Sequence, residues 1–589
     1  TGDDINYSWQ GVDKKNSYIL SDSLVQVKQA NGTFQPARDY GFASQVRVSA
    51  AFMVAKKAEI LTKLTASELE QLTAALADVS LAGFTMSVSG DDVSYTWQGP
   101  DKKNSYSLTE SFVQLKQVDG SFAAERDFRF STQVRISAGV MIAKKTAIFT
   151  QLSADEQSQL VTALDDVNLA GFTMTVAGGD VNYSWQGTDK TTSYSLTDNL
   201  VQVKQADASF TVTRSYTFSS QVRVSSITVP QGALSASELS QLPTALSDVG
   251  LAGFTMTVSG TDVSYAWQSL DKTKNYSLAD NLIQIKQVGG SFASARDWSF
   301  SSQARVSADL METIKSQVSD HLSASAFFDL GSALLDVSPS GFSMTITGED
   351  QTYSWQGVDK KMSYTLTGSR VQVKQAGGTF VPDQEWSFSS QARVARNAVP
   401  MTVAGLTPEE QATLTAALVA STDERIVFSM VTGGDNTSYS WQTLDRTVSY
   451  NLSLSRVYFA DGSLGWDASF TTQFRVSYDL LLQQNPASDI QSDQLAMYQE
   501  AMIRAQSSLS GITQSVAGYS NTWSWRSNDG QYNDALSKER SYYSNNVDFS
   551  ITTTMTVQQS VSQAFMQELA GELPVAEREG FGAALEDSR

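Results

Sequence analysis

The stretch Tyr7-Ser8-Trp9-Gln10 decides the fold, because its pattern of tyrosine, any residue, tryptophan and glutamine recurs along the chain. Successive copies lie 82 to 88 residues apart, and a degenerate last copy reads Trp-Ser-Trp-Arg. A nearly fixed period of this length is the signature of tandem structural units. The recurring structural tryptophans are Trp9, Trp97, Trp185, Trp267, Trp355, Trp441 and Trp525.

Each copy continues with the residues of a β-hairpin. An aspartate and a basic residue follow the tryptophan, as in Asp13-Lys14, and we expect them to form a turn. The segments Val25–Gln29 (VQVKQ) and Ser44–Ser49 (SQVRVS) alternate apolar and polar residues, which is typical of half-buried strands. Asn31-Gly32 between them suits a tight primed turn, whereas Asp207-Ala208 in the third copy predicts a looser one.

The period then changes to that of a helix. Thr65 and Glu68 have the spacing of a capping box, and the following leucines share one helical face. Pro243 lies inside the third predicted helix and is expected to kink or shorten it. The segment Gly83–Gly90 (GFTMSVSG) alternates again and leads into the next tryptophan strand. Each unit is therefore predicted to have about five or six antiparallel strands and one or two covering helices.

The predicted fold class is α+β, a tandem array of about seven antiparallel-sheet modules with a divergent C-terminal unit. Both ends of the sequence fall within the repeat, and position 1 is Thr rather than Met. We therefore expect a processed end or an edge strand that is open to a neighbour. The predicted units, numbered from the N-terminus, are 1–83 (lacking its first strand), 84–171, 172–253, 254–341, 342–427, 428–511 and 512–589 (with a helical tail).

The composition argues against several functions. The chain has 62 acidic and 42 basic side chains and a net charge of −20, which disfavours nucleic acid as a partner because phosphate binding needs a basic surface. Cysteine is absent, so disulfides and Cys-based zinc sites are excluded. His321 is the only histidine, and nucleophile-elbow, P-loop and dinucleotide-binding patterns are missing. We therefore predict no enzymatic activity, no catalytic residues and no cofactor, and no membrane-spanning segment.

Acidic turns recur beside the Phe-x-Met strand, as at Gly90-Asp91-Asp92 and Gly179-Asp180. Calcium takes about six to eight oxygen ligands, and one or two carboxylates per turn fall short of that number. We interpret these residues as turns, and a weak calcium site is the alternative.

The tryptophan motif has two interpretations. Tyr7 and Trp9 share one strand face, so they form an aromatic core if that face is buried. If the face is exposed, the rings are suited to stack on sugars, with Gln10, Asp13 or Lys14 as hydrogen-bonding groups. We favour the core interpretation.

Basic residues recur in the two alternating segments, where we expect them on the polar strand faces. They either face solvent or set the lateral register of a polymer by pairing with acidic turns of an adjacent molecule. The candidate assembly-face residues are Lys28, Arg47, Lys116, Arg135, Lys204, Arg223, Lys286, Arg305, Lys374 and Arg393.

These features predict an extracellular or cell-surface structural protein that forms or decorates a filament, sheath, matrix or stalk through repeat-to-repeat and strand-edge contacts. Its expected partners are further copies of itself or another structural subunit. A multivalent glycan-binding adhesin is the alternative. A viral tail or fibre component, located in the virion, is a further structural alternative.

Overall fold

The computed structural model describes residues 4–12, 14–230, 234–287, 291–374, 380–458, 464–490, 492, 494–528, 532–542, 549–558, 560–561 and 566. Asp13, the side chains of Lys286 and Lys374, and the predicted helical tail apart from Met566 lie outside this description. Units 1 to 7 denote the seven sequence ranges predicted above, in order from the N-terminus.

One antiparallel sheet runs through the described chain, and the strands from β1 to β27 pair consecutively, each with the next in sequence. The strands are β1 (Ile5–Gln10), β2 (Asn16–Lys28), β3 (Phe34–Val48), β4 (Phe84–Ser89), β5 (Asp92–Gln98), β6 (Asn104–Lys116), β7 (Phe122–Ile136), β8 (Phe172–Ala177), β9 (Asp180–Gln186), β10 (Thr192–Lys204), β11 (Phe210–Val224), β12 (Phe254–Ser259), β13 (Asp262–Gln268), β14 (Lys274–Lys286), β15 (Phe292–Val306), β16 (Phe342–Thr347), β17 (Asp350–Gln356), β18 (Ser363–Lys374), β19 (Phe380–Val394), β20 (Phe428–Gly433), β21 (Asn436–Gln442), β22 (Ser449–Tyr458), β23 (Leu464–Val476), β24 (Ile512–Ala517), β25 (Ser520–Arg526), β26 (Asn533–Tyr542), β27 (Phe549–Gln558) and β28 (Ser560–Val561).

From β4 onward the strands recur in groups of two short and two long strands. In β4–β7, for example, the lengths are 6, 7, 13 and 15 residues. The register places Trp97 opposite Tyr106 and Leu108 opposite Phe130, so alternating apolar residues form one stripe across the strands. Four strands are observed per group where five or six were predicted, because segments that read as separate strands are the two halves of one long strand.

The helices stand between the four-strand groups and begin at side chains that cap them. The capping box predicted at Thr65 is confirmed, and Ser153 and Ser235 begin their helices with the same capping box. Pro408 occupies the first turn of its helix. The helices in the described chain are α1 (Ala50–Glu59), α2 (Ala66–Ala77), α3 (Ala138–Ile148), α4 (Ala154–Asp165), α5 (Ala236–Ser247), α6 (Ala308–Gln317), α7 (Ala324–Ala333), α8 (Pro408–Ala420), α9 (Tyr478–Gln484) and α10 (Leu495–Ser507).

Three local predictions need correction. Gly32 has a positive φ but Asn31 does not, so this turn is not a primed turn, which would need positive φ at both positions. The turn at Ala208 is as tight as the others, because Ala208 adopts the same left-handed conformation and its amide bonds the Gln205 carbonyl at 3.0 Å. Pro243 neither ends nor shortens α5, which is 12 residues long like α2 and α4. Pro243 lies on the exposed side of the helix, where the carbonyl freed by the missing amide is open to water.

Each hydrophobic core joins the helices of one unit to the strands of the next. Met53, Ile60 and Leu72 from α1, its end and α2 pack with Trp97 and Phe130 from β5 and β7. The same arrangement recurs in the other clusters of the described chain. Every group of strands from β4 onward therefore carries its cover from the preceding segment of sequence.

The sheet coils on itself, because the long hairpins of units 1 to 4 also touch the unit three places further along. Val27 and Lys28, at the end of β2, pair in parallel with Arg305 and Val306, at the end of β15. Equivalent parallel pairs join β6 to β19, β10 to β23 and β14 to β28. The result is a superhelix of about three units per coil, in which successive coils are bonded to each other.

Candidate interface between coils

The contact between coils is built from the ends of strands. Beyond the parallel pairs, the amide that follows the upper strand donates to the carbonyl of the lower lysine. Ser307 N donates to Lys28 O at 2.7 Å, and Ala395 N donates to Lys116 O at 2.9 Å. Ser477 N donates to Lys204 O at 2.8 Å. One backbone geometry is therefore repeated at three successive positions around the coil.

Hairpin tips also place aromatic residues against the coil above. Phe122, at the start of β7, packs against the core that contains Trp441. Phe292, at the start of β15, meets Tyr532 with ring centroids 5.2 Å apart in an edge-to-face arrangement. Lys204 lies over the ring of Phe474, with Nζ 4.4 Å from the centroid.

A second set of contacts uses the basic residue of the Asp-Lys turn. Lys272 pairs with Asp4 at 2.9 Å, and this hydrogen bond is the main reason that the pKa of Asp4 lies below its ordinary value. Lys360 pairs with Asp92 at 3.1 Å and Arg446 with Asp180 at 2.7 Å. Each of these bonds joins units three places apart, so the predicted turn residues also connect coils.

These basic turn residues have φ between 57° and 60°, a left-handed conformation that side chains other than glycine rarely adopt. Glycine would relieve that strain but would remove the cation. The ion pairs with the coil below give a physical reason for a basic residue at these positions.

The predicted arginines form a third set of contacts. Arg305 pairs with Asp39 at 2.7 Å, and Arg393 pairs with Asp127. The acids belong to the same chain and lie on strands, whereas the sequence predicted turns of an adjacent molecule. Arg47, Arg135 and Arg223 are exposed, and the described residues offer them no ion pair.

The predicted lysines lie differently from the arginines. Lys28, Lys116 and Lys204 are half-buried at the hairpin tips where the next coil begins, rather than open to solvent. Burial, and to a smaller extent the charge of Lys274, lowers the pKa of Lys28. Their main contribution to the interface is the backbone carbonyl already described.

Sequence reasoning missed the acids and the turn cations of this interface. Asp4, Asp92 and Asp180 pair with residues 266 to 268 positions later. The one signal that the sequence offered for these pairs was the separation between acid and base, which is close to three repeat lengths.

The recurring tryptophans lie inside the cores with one exception. Trp97 is 3% exposed and donates its indole N–H to the Ala75 carbonyl at 2.9 Å. The other covered tryptophans are equally buried, so no sugar ring can stack on them: Trp185, Trp267, Trp355, Trp441 and Trp525. Trp9 is 45% exposed.

A tyrosine and an aspartate close each of the early cores. Tyr106 donates its hydroxyl to the Asp78 carboxylate, at the end of α2. Burial, then this carboxylate, raises the pKa of Tyr106 to about 12. Tyr194 and Asp166 form the same bond at 2.8 Å, and Tyr364 and Asp336 form it at 2.6 Å.

The remaining candidates for chemistry do not converge on one place. His321 is exposed in the turn between α6 and α7, rather than within a helix. Within the described ranges, no group of three or more His, Asp or Glu side chains is arranged to hold a metal ion. On the strand face opposite the helices, β5 and β6 present Thr96, Gln98, Ser105 and Ser107, which are hydroxyl and amide groups.

The helices of the described chain are too short or too polar for one of them to cross a membrane. No family model, curated protein or solved structure matches the chain.

Proposed function

We propose that this chain is a structural protein whose seven modules form one wall segment of an extracellular filament, sheath, matrix or stalk. The observation that supports the proposal most is the recurrence of one inter-coil contact at successive positions. The strand-end pairs, the Lys–Asp pairs and the Arg–Asp pairs all join units three places apart. Such an array extends by adding units without any change in its local geometry.

The individual contacts are modest, and their number gives the assembly its strength. An exposed ion pair contributes about 0–1 kcal/mol and a backbone hydrogen bond about 0.5–1.5 kcal/mol. One contact between two coils therefore amounts to a few kcal/mol. Because equivalent contacts recur around the coil, the superhelix is held by their sum and its pitch is fixed by their repetition.

The net charge of the chain and its distribution suit a wall that is exposed to water. The net charge of −20 keeps separate assemblies apart, while Lys272, Lys360 and Arg305 pair with acids where coils meet. Self-association along the coil axis then brings exposed basic positions toward acidic ones, whereas contacts between the sides of two assemblies bring like charges together.

The test is concentration-dependent light scattering of the full chain, with and without calcium, followed by negative-stain microscopy. We expect scattering to rise with concentration and the images to show rods of uniform width, with or without calcium. A chain that stays monomeric at high concentration and shows no ordered assembly refutes this function. That result would favour the multivalent binder, whose glycan sites would have to lie outside the buried tryptophans.

A further inference from the structure

The first sheet, β1–β3, has an aromatic face that no helix covers in the described chain. Tyr7, Trp9 and Phe42 are 49%, 45% and 51% exposed. Their counterparts in unit 2, Tyr95, Trp97 and Phe130, are 3%, 3% and 0% exposed beneath α1 and α2. We name the surface formed by Tyr7, Trp9, Tyr18, Leu20 and Phe42 the open face.

The open face also presents polar groups that are bonded in every early core. The indole N–H of Trp97 bonds the Ala75 carbonyl, and the Tyr106 hydroxyl bonds Asp78. Both partners belong to the covering helix and its end. Among the described residues, the equivalent groups of Trp9 and Tyr18 have no hydrogen-bond partner.

The C-terminal sequence carries the residues that a cover for this face requires. Residues 561–566 read VSQAFM, and residues 48–53, which begin α1, read VSAAFM. Residues 573–587 read LPVAEREGFGAALED, and residues 64–78, which contain α2, read LTASELEQLTAALAD. The link between the two stretches is four residues shorter than in unit 1. Within the second stretch the match is in register at the positions that contact the sheet, with Leu573, Glu577, Phe581, Ala584 and Asp587 in the places of Leu64, Glu68, Leu72, Ala75 and Asp78.

The matched positions include the polar contacts of the cover. Glu68 accepts the amide of Phe130, Ala75 accepts the indole of Trp97, and Asp78 accepts the hydroxyl of Tyr106. Glu577, Ala584 and Asp587 repeat these residue types at the same spacing in the sequence, and Phe42, Trp9 and Tyr18 are the counterparts of Phe130, Trp97 and Tyr106 on the open face.

The backbone at the end of the described chain agrees with this match. Val561 pairs in parallel with Lys286, as Val306 pairs with Lys28 directly before α6. Met566 is helical and half-buried, whereas Met53, Met141 and Met311, at the same distance from the preceding strand end, are 0–1% exposed. The slot that buries this methionine elsewhere is therefore not complete around Met566.

The last described strand of the chain lies far from the open face of the same chain. The strand β28 contacts β14 in unit 4, and unit 4 in turn contacts β2 in unit 1, so the two ends are two coils apart. We propose that residues 562–589 of one copy pack as a helical cover on the open face of a second copy. This joint rests on the proposed function and specifies how the copies are connected.

The joint also continues the contacts between coils. Unit 1 of the second copy takes the eighth position and lies over unit 5 of the first. By the offsets observed within the chain, Lys14 then faces Asp350, Arg47 faces Glu385 and Arg135 faces Asp467 of the first copy. All six side chains are exposed, and no ion pair joins any of them to another described residue.

The experiment uses two full-length variants that each block one half of the joint. Trp9→Asp damages the open face, and Phe581→Asp damages the cover. Each variant alone is expected to stay monomeric by sedimentation velocity at concentrations where the natural chain assembles. Mixed in equal amounts, they are expected to form a species of two copies and no larger one, because only one intact face and one intact cover can meet. Phe328→Asp, at a 74% exposed phenylalanine on α7, is the matched control and assembles like the natural chain.

The outcomes separate the joint from the function. If the natural chain assembles and both variants still assemble, or if the mixture forms no pair, the joint is wrong and the structural function stands. If the natural chain never assembles, the proposed function fails and the joint fails with it.

Cross-linking tests the same joint without large substitutions. In the equivalent contact, the rings of Phe52 and Tyr95 lie 6.1 Å apart. The chain has no cysteine, so Tyr7→Cys in one copy and Phe565→Cys in another introduce the only thiols. A short bismaleimide is expected to link this pair in high yield, and to link Phe328→Cys with Phe565→Cys only at background. Equal yields for the two pairs would overturn the joint.

Discussion

Replacing Trp97, the buried tryptophan of unit 2, gives a prediction for which the exposed Trp9 is the control within the same chain. Trp97 and Trp9 occupy the same strand position in nearly the same local sequence, and they differ in their cover. Trp97 packs against Phe84, Tyr106 and Phe130, with ring centroids 5.2 to 6.0 Å away. No helix of the described residues lies over Trp9, which is 45% exposed.

The expected cost follows from burial. Trp97→Ala removes a fully covered ring and its bond to Ala75, so we expect a loss of about 3–5 kcal/mol, as for other large buried aromatic residues. The Ala75 carbonyl retains a bond from the Asp78 amide, so its loss of the indole adds little. Trp9→Ala removes a half-exposed ring and should cost about 1 kcal/mol or less.

Hydrogen exchange followed by mass spectrometry measures these costs locally, which suits a chain whose modules need not unfold together. For Trp97→Ala, exchange in α2 and β5 should accelerate about 150- to 5,000-fold, since about 1.4 kcal/mol corresponds to a factor of ten. Exchange in β1 should change less than about tenfold for Trp9→Ala at a concentration where the chain is monomeric. Equal acceleration by the two variants would refute the assignment of the covered ring as the core of its module.

Three further changes test other features of the structure. The raised pKa of Tyr106 favours its neutral form in the folded chain, so its contribution to stability is complete below about pH 10 and is lost as the pH rises toward 12. Denaturant titrations across that range should show a smaller loss of stability for Tyr106→Phe than for the natural chain. Lys272→Glu places a like charge opposite Asp4 and should weaken the contact between coils at low salt, seen as faster exchange in β1 that added salt reduces. Lys190→Glu, at a turn position that has no ion pair in the described chain, should leave exchange unchanged. Pro243→Ala restores a missing amide inside α5 and should slow its exchange by an amount worth about 1–3 kcal/mol, while an unchanged or faster rate would mean that the ring contributes packing instead.

Much of each module could be predicted from sequence because the signals are local. The capping boxes at Thr65 and Ser153 depend on residues three positions apart, and the basic turn residue depends on its immediate neighbours. Strand alternation likewise needs only a few residues. The number of strands was overestimated because polar residues such as Asp22 lie within β2 without interrupting it.

The contacts between coils could not be predicted in this way. Arg305 and Asp39 meet only after the rotation between neighbouring modules has accumulated over three units into a full coil. That rotation depends on the contacts that each helix makes with a turn further along the chain. Gln159 Nε2 in α4, for example, donates a hydrogen bond to the Gly260 carbonyl at 2.7 Å. No local pattern encodes such an angle, so acids on strands read as ordinary surface residues.

The bonds between coils determine how the superhelix carries a load. Modules that are joined only end to end bear tension in series, and the weakest of them yields first. Here a pull along the superhelix axis shears the strand-end pairs at β2 and β15, β6 and β19, and β10 and β23 together, so neighbouring columns of units share the force. The closed superhelix therefore resists stretching like a spring whose coils are fastened to one another. Its length increases substantially only when several strand-end pairs break together, and this sets a force threshold for extension.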